Sequence, residues 1–233
     1  MSSIPKPTQK LIKNPIKNPT KKPLDPPNDS HHKGDVVAPI RCDWCTNDPR
    51  YIRYHDEEWG RPEHDEARLF ELFILETQQA GLSWWTVLQK REAYRQAFRG
   101  FDPHFLSGAD EAILNEWLNN PELIRHRKKL EAVIHNARCY LSEFPIQNST
   151  GAKGESAKGG FHDYFWGFVD GTPIDTPWKS IDAVPATTPL SDTISRDLKR
   201  RGFKFIGSVT VYAYLQAIGV VNDHLESCII REL

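Results

Sequence analysis

The chain has 233 residues, of which 26% are charged and 39% hydrophobic, with a formal net charge of −1. That length allows one large domain or two small ones around a proper core, and no apolar run reaches the roughly 20 residues that a membrane-spanning helix needs. Four cysteines in a chain of this size do not read as a disulfide framework. A reduced, cytoplasmic setting is the default expectation, and there cysteine clusters point to metal or chemistry.

Residues 1–40 differ from the rest. They hold eight of the seventeen prolines, seven lysines against three aspartates, and no aromatic residue. Such a segment cannot bury enough apolar surface to fold, so a disordered basic tail is expected, followed by one domain over 41–233. The tail carries +4 of the net −1, which leaves −5 on the domain. Overall charge therefore makes no case for nucleic acid, and any such case rests on local sites. No apolar segment follows the first basic residues, so a secretory leader is not expected.

From Arg41 the character changes to RCDWCTNDPRYIRYHDEEWG, with Cys42 and His55 as possible metal ligands. Next comes LFELFILETQQAGLSWW, 69–85. Leu69, Leu72, Phe73 and Glu76 fall at i, i+3, i+4 and i+7, which predicts an amphipathic helix with all four on one face. A carboxylate on an apolar stripe is costly unless it has a partner or a ligand. Gln78, Gln79, the Gly81-Leu82-Ser83 break and the Trp84-Trp85 pair follow, and together they suit a pocket for a planar polar ring. A buried Glu paired with an arginine beside two core tryptophans would account for the same residues.

Ser83 or Thr86 can open a helix running through Val87, Leu88, Tyr94 and Phe98. Asp102 before Pro103 reads as another helix start, 111–118 as a helix, and 123–144 as a long helix opening on the basic run RHRKK, 125–129. That run reads as a solvated face, with phosphate contact as the functional alternative. The polar stretch 147–160 is expected to be a flexible insertion. The aromatic stretch 161–171 is expected to pack into the core, and the proline-broken stretch after it to be irregular. No run of alternating strands occurs, so the fold class is mainly α.

Towards the end, Ser191 is expected to cap a helix that stops at Gly202. Phe203, Phe205 and Gly207 form a short turn, and Ser208 opens a second helix. Backbone N–H groups at that second N-terminus can hold a DNA phosphate, with Arg201 and Lys204 adding charge around Phe205, Gly207 and Ser208. His224 and Cys228 lie four apart, which on a helix places them on one face. With Cys42 and His55 they would supply two thiolates and two imidazoles, a closed tetrahedral zinc site of structural type. Cys42-x-x-Cys45 is a competing ligand pair, and free buried cysteines with surface histidines are the reading without a metal.

RCDWC, DPRYIRYHDEEWG, ETQQAGLSWWTVLQKREAYRQAF, IRHRKKLEAVIHNARCYL and LKRRGFKFIGSVTVYAYLQAIGVVNDH, taken together, closely resemble the bacterial 3-methyladenine DNA glycosylase I family over about 41–230. The resemblance implies a helix-hairpin-helix DNA glycosylase fold with a zinc clasp joining the two ends of the domain. It implies one structural zinc on Cys42, His55, His224 and Cys228, and Glu76 as the base-recognition and catalytic residue. Tyr51, Tyr54 and Trp84 match its aromatic pocket, with Trp44 and Trp59 close by in sequence. The implied partners are alkylated double-stranded DNA and the 3-methyladenine base, with a monomer as default.

The residue types fit that chemistry. Methylation at N3 makes adenine cationic and a good leaving group, and the nucleotide must be extruded to be read. Aromatic faces favour a cation by roughly 0.5–2 kcal/mol per contact, and a carboxylate accepts charge-assisted hydrogen bonds from the base edge. Other glycosylases of this fold usually carry an aspartate in a V-D-x-H-type stretch. Val221-Asn222-Asp223-His224 puts Asn222 in that place, so no carboxylate base is expected there. No lysine stands where an imine could form, so a monofunctional enzyme is expected. A non-catalytic zinc-containing DNA-binding module is the alternative.

Overall fold

A computed structural model describes residues 39–146 and 159–232. The expected tail, up to residue 38, and residues 147–158 of the expected insertion lie outside the described residues. In chain order the helices are α1 (Pro49–Glu57), α2 (Glu66–Gln79), α3 (Trp84–Leu88), α4 (Arg91–Ala97), α5 (Pro103–Ser107), α6 (Glu111–Asn119), α7 (Arg127–Glu143), α8 (Gly160–Gly167), α9 (Pro189–Arg200) and α10 (Ser208–Ala217). Two short strands, β1 (Ile174–Asp175) and β2 (Val221–Asn222), pair in parallel, Ile174 opposite Val221 and Asp175 opposite Asn222. The described chain is thus mainly α, as composition and spacing predict.

Helix α2 is the axis of the fold. It packs against α3, α7, α8 and α10, and every residue from Leu69 to Gln78 is buried. The expected amphipathic helix is therefore corrected to one buried all round. Phe70, Ile74 and Leu75, off the predicted stripe, are as inaccessible as Leu69 and Phe73. A helix buried on every side has no face to give to water and sits in the middle of the bundle, its buried Glu71 met by arginines. Its start is capped by Asp65, whose side chain accepts from Arg68 N at 2.9 Å, and Gly81 at φ +78° turns the chain away after its end. Leu75 is fully inaccessible. Leu75→Ala should cost about 2–5 kcal/mol, the usual range for a cavity in a closed core, read as a lowered urea midpoint with an unchanged slope.

Several boundaries differ from the spacing. The helix expected from Ser83 to Phe98 is two helices, α3 ending at Leu88 and α4 starting at Arg91, whose guanidinium is buried. Arg91 donates to Glu71 at 2.6 Å and Glu58 at 2.7 Å. Helix α7 starts at Arg127 rather than 123, since the His126 side chain caps it by accepting from Lys129 N at 3.3 Å. Within the basic run, Arg127 pairs with Glu111, whereas Lys129 is buried and donates to the Gln78 carbonyl at 2.6 Å. An ammonium there meets an orphan carbonyl at the C-terminal end of α2. Helix α9 is capped by Thr188, not Ser191. Pro189 takes the first helical position, and Ser191 is the reciprocal member of a capping box. Gly159 and Gly160, expected to belong to the insertion, cap and open α8.

Helices α9 and α10 pack on each other through the turn 201–207. Asn136 of α7 grips the turn from outside, its amide oxygen accepting from Lys204 N at 2.8 Å and its amide nitrogen donating to Lys204 O at 3.0 Å. Ser195 donates to Ile206 O at 2.7 Å. These bonds hold Phe205 at φ +57°, a left-handed conformation unusual for a bulky residue.

Candidate active site and metal centre

The end of α2, the α1 region, α3, α10 and the segment after β2 enclose a cavity of about 420 Å³, within the roughly 300–1,000 Å³ typical of small-molecule sites. Trp44, Tyr51, Tyr54, Trp59, Glu76 and Trp84 all line it. All six residues expected to read a base are thus in one place. Tyr54 and Trp84 lie 5.3 Å apart between ring centroids, and Trp44 is 5.2 Å from Tyr51 and 4.9 Å from Trp59. Outside the lining, Trp85 stacks on Tyr51 at 5.0 Å, with the Arg50 guanidinium 4.9 Å from its ring.

Glu76 is 3% exposed. The reading in which it pairs with an arginine does not hold: Arg68, Arg91 and Arg95 converge on Glu71, with Arg68 and Arg91 also meeting Glu58. Among the described residues Glu76 Oε2 has no hydrogen-bond partner, and neither has the Trp84 indole Nε1, also buried. Burial pushes the Glu76 carboxyl up to about 8. A buried acceptor and a buried donor thus stand in the wall of one aromatic cavity, where both can serve a polar ring.

Spacing did not announce the remaining wall. Ile181, Val184, Pro185 and Ala186 close one side, and Tyr212, Gln216 and Asp223 another. The first group comes from the irregular stretch whose only sequence signal was its prolines. The second follows α10 and its exit. Asn222 is absent from the lining; its side-chain oxygen accepts from His224 N at 3.3 Å, and its neighbour Asp223 takes the cavity-facing place.

Next to this cavity Cys42, His55, His224 and Cys228 are all buried, their ligand atoms within 4.8 Å of one another. The segment from His224 to Cys228 is not the expected helix. It is an irregular turn following β2, bridged to the chain at Trp178–Leu225. The two side chains meet because the turn curls back. Cys42 Sγ–His224 Nδ1, Cys228 Sγ–His55 Nε2 and Cys228 Sγ–His224 Nδ1 are each 3.5 Å. A tetrahedron with metal–sulfur bonds of about 2.3 Å and metal–nitrogen bonds of about 2.0 Å has sulfur–nitrogen edges of about 3.5 Å, so this donor set fits one tetrahedral ion.

The outer partners select the ligating nitrogens. His55 Nδ1 lies 2.7 Å from Asp56 Oδ1, itself held by Arg41, and His224 Nε2 lies 3.0 Å from the Trp59 carbonyl. Each ring's other nitrogen is thereby left as the ligand. Burial lowers both imidazoles, His224 to about 4, and pushes the Cys42 thiol up to about 12. The imidazoles are thus neutral and ready to ligate, while a thiolate here requires a cation. Gly60, at φ +73°, lies against the His224 ring, where a Cβ would come within 2.9 Å. Cys45 stands outside the set, its Sγ directed at the Thr46 carbonyl at 3.6 Å.

At the turn before α10, Lys204 is exposed and Phe205, Gly207 and Ser208 half-buried. Gly207 occupies the cap with no side-chain cap bond, which leaves the first-turn amides of α10 without an intrahelical partner. Arg201 is engaged elsewhere: it donates to Asp197 at 2.7 Å and to Glu143 at 3.3 Å and lies over Phe144 and Tyr164.

The model of the methyladenine glycosylase family matches residues 44–232. The chain belongs to the methyladenine glycosylase family. It is 46% identical over 188 residues to DNA-3-methyladenine glycosylase 1 of Escherichia coli K12, covering 81% of this chain and 95% of that one. It is 45% identical over 188 residues to DNA-3-methyladenine glycosylase of Haemophilus influenzae Rd, covering 81% and 96%. A solved structure bearing on 3-methyladenine recognition by 3-methyladenine DNA glycosylase I of Staphylococcus aureus superposes with a TM-score of 0.72 at 37% identity, over 82% of this chain and 95% of that one. The glycosylase family assignment agrees with the resemblance read from the sequence, and the matched residues include the six base-site residues together with His55, His224 and Cys228.

Proposed function

We propose that this chain is a DNA-3-methyladenine glycosylase of base-excision repair. It hydrolyses the N-glycosidic bond of 3-methyladenine in alkylated double-stranded DNA after the nucleotide has been extruded into the cavity. The observation that carries this is the pair of orphaned groups, Glu76 Oε2 and Trp84 Nε1, inside an aromatic wall. The named activities of the relatives above support the same substrate.

The cationic base lies among Tyr51, Tyr54, Trp44, Trp59 and Trp84, whose ring faces favour positive charge, while Glu76 accepts from the base edge. Normal adenine brings no charge to these faces and leaves the buried carboxyl without its partner, a strong source of discrimination. In the reaction the C1′–N bond breaks and its electron pair leaves with the base, cancelling that base's charge. A water oxygen then adds to C1′ and passes its proton to solvent. Among the described residues no lysine lines the cavity, which supports a monofunctional reaction without strand cleavage.

The segment α9–turn–α10 acts as the helix-hairpin-helix element. The α10 amides, Gly207 and Ser208 take a phosphate, with Lys204 beside them, Phe205 shaping the turn and the ion-paired Arg201 bracing it. One zinc ion held by Cys42, His55, His224 and Cys228 clasps the start of the domain, near residue 41, to its end. When bound, the ion supplies a closed structural cross-link. Free cysteine thiols are kept reduced in the cytosol, so the four unpaired cysteines support a cytoplasmic enzyme. A monomer is the default reading for the oligomeric state.

The test is chromatography of bases released from methylated duplex DNA, with borohydride added in parallel. Release of 3-methyladenine with 7-methylguanine spared, and no covalent protein–DNA adduct, is expected. DNA binding without base release would replace this reading by the non-catalytic module, and an adduct would refute the monofunctional mechanism.

A further inference from the structure

Asp223 is 3% exposed and lines the cavity with Tyr212 and Gln216. Its Oδ1 accepts from the Trp178 indole at 2.7 Å. Its Oδ2 accepts from Gln216 Nε2 at 2.7 Å and from the Tyr212 hydroxyl in a short bond. All three donors are neutral. Among the described residues Asp223 makes no ion pair, in contrast to Glu58, Glu71 and Asp197, each of which is met by at least two arginines. Neutral donors orient a carboxylate and satisfy its lone pairs without cancelling its charge. Each oxygen already accepts a hydrogen bond, which fixes the orientation of the carboxylate in the wall. Its three partners come from two separate parts of the fold, the strap around Trp178 and α10, which carries both Tyr212 and Gln216, so the charge is held still.

Glu76 enters the cavity from α2, whereas Asp223 enters from the α10 and β2 side. The reaction places positive charge first on the base and then, as the bond breaks, on the sugar at C1′. One buried carboxyl is matched to the base. We infer that Asp223 is a fixed negative charge matched to the sugar cation, an electrostatic residue of the reaction rather than its base. This rests on the base-excision reading above. A preorganised, uncancelled charge on a buried side chain is an arrangement that stabilises a developing opposite charge strongly.

The experiment uses the full chain with its metal and two duplexes, one with a pyrrolidine in place of the target sugar and one with tetrahydrofuran. The pyrrolidine nitrogen is cationic and sits where C1′ charge develops, whereas tetrahydrofuran is its neutral match. Wild type should bind the pyrrolidine duplex at least tenfold more tightly than the tetrahydrofuran duplex at fixed salt. Asp223→Asn should lose that preference while keeping its tetrahydrofuran affinity, and should excise 3-methyladenine about 10²-fold more slowly, the usual size of one preorganised electrostatic group. A merely structural role would weaken both duplexes alike, and that outcome overturns the inference. Glu76→Gln keeps the Asp223 charge, so it should retain the preference. If the preference disappears there, or is absent from wild type, the inference fails even should Asp223→Asn not fold. Wild type that releases no 3-methyladenine would instead overturn the excision reading itself.

Discussion

Glu76→Gln should lower 3-methyladenine release by about 10²-fold and, at the same time, make the free protein more stable. The first effect follows from replacing a charge-assisted acceptor by a neutral amide. Hydrogen bonds to charged groups contribute about 1.5–3 kcal/mol each, and one pointing at a cationic base also loses its Coulomb attraction. The second follows from burial. Glu76 has no arginine partner, and burial pushes its carboxyl from the ordinary 4.5 up to about 8. The folded state therefore holds this proton more tightly than the unfolded state does. That contribution is fully present below about pH 4.5 and declines as pH rises to about 8, at about 1.4 kcal/mol per pH unit. At pH 7 the difference between Glu and Gln should be about 3 kcal/mol in favour of Gln. Urea unfolding of the two proteins between pH 4 and 8 checks this, since all other titrating groups are shared. Curves that stay parallel would show that Glu76 is ionised and compensated in the free protein. A variant that excises at the wild-type rate would remove Glu76 from recognition altogether. The same linkage predicts that capture of the cationic base releases a proton below pH 8, so affinity for the methylated site should rise with pH up to that point.

Withdrawing the metal, or exchanging Cys228 for serine, should unfold or loosen the domain far more than it slows the chemistry of protein that stays folded. The four candidate ligands are residues 42, 55, 224 and 228, so an ion bound by all of them would tie the two ends of the domain together. Binding free energy at such a site is folding free energy, because the unfolded chain has no preformed site. Loss of a metal site belongs with the changes that cost more than about 4–5 kcal/mol. One zinc per chain by elemental analysis is expected, together with a large fall in thermal midpoint on chelation and in Cys228→Ser. Cys45→Ser should change neither, since Cys45 points elsewhere. A chelated protein that keeps its thermal midpoint would overturn the structural role, and one that stays fully folded but stops excising would make the ion catalytic.

These two sites show where the sequence speaks clearly. The ligand types Cys42, His55, His224 and Cys228 were legible, as were Glu76 on an apolar helix, the crowded aromatics and the mainly helical class. Each depends on side-chain chemistry or on short-range spacing, which the chain carries locally. The geometry joining His224 to Cys228 was not legible. A spacing of four fits one face of a helix, but here it is a turn whose curl is set by the Trp178–Leu225 bridge, a contact between residues 47 apart in sequence. Helix α2 teaches the same lesson. Its stripe of Leu69, Leu72, Phe73 and Glu76 reads as a surface helix, and only the arrival of α3, α7, α8 and α10 buries the other sides.

Charge is where tertiary structure decided most. The sequence contains a carboxylate at 76 and many arginines, and both a paired and an orphaned Glu76 are consistent with it. Packing sends Arg68, Arg91 and Arg95 to Glu71, takes Arg201 to Asp197 and Glu143, buries Lys129 on a helix end, and leaves Glu76 and Asp223 facing one cavity without a cation. Residue identity determined which groups could carry charge. Which charges are cancelled depends on distances of a few ångströms between segments far apart in the chain, because pairing energy falls off over that length, and such distances exist only once the bundle has closed.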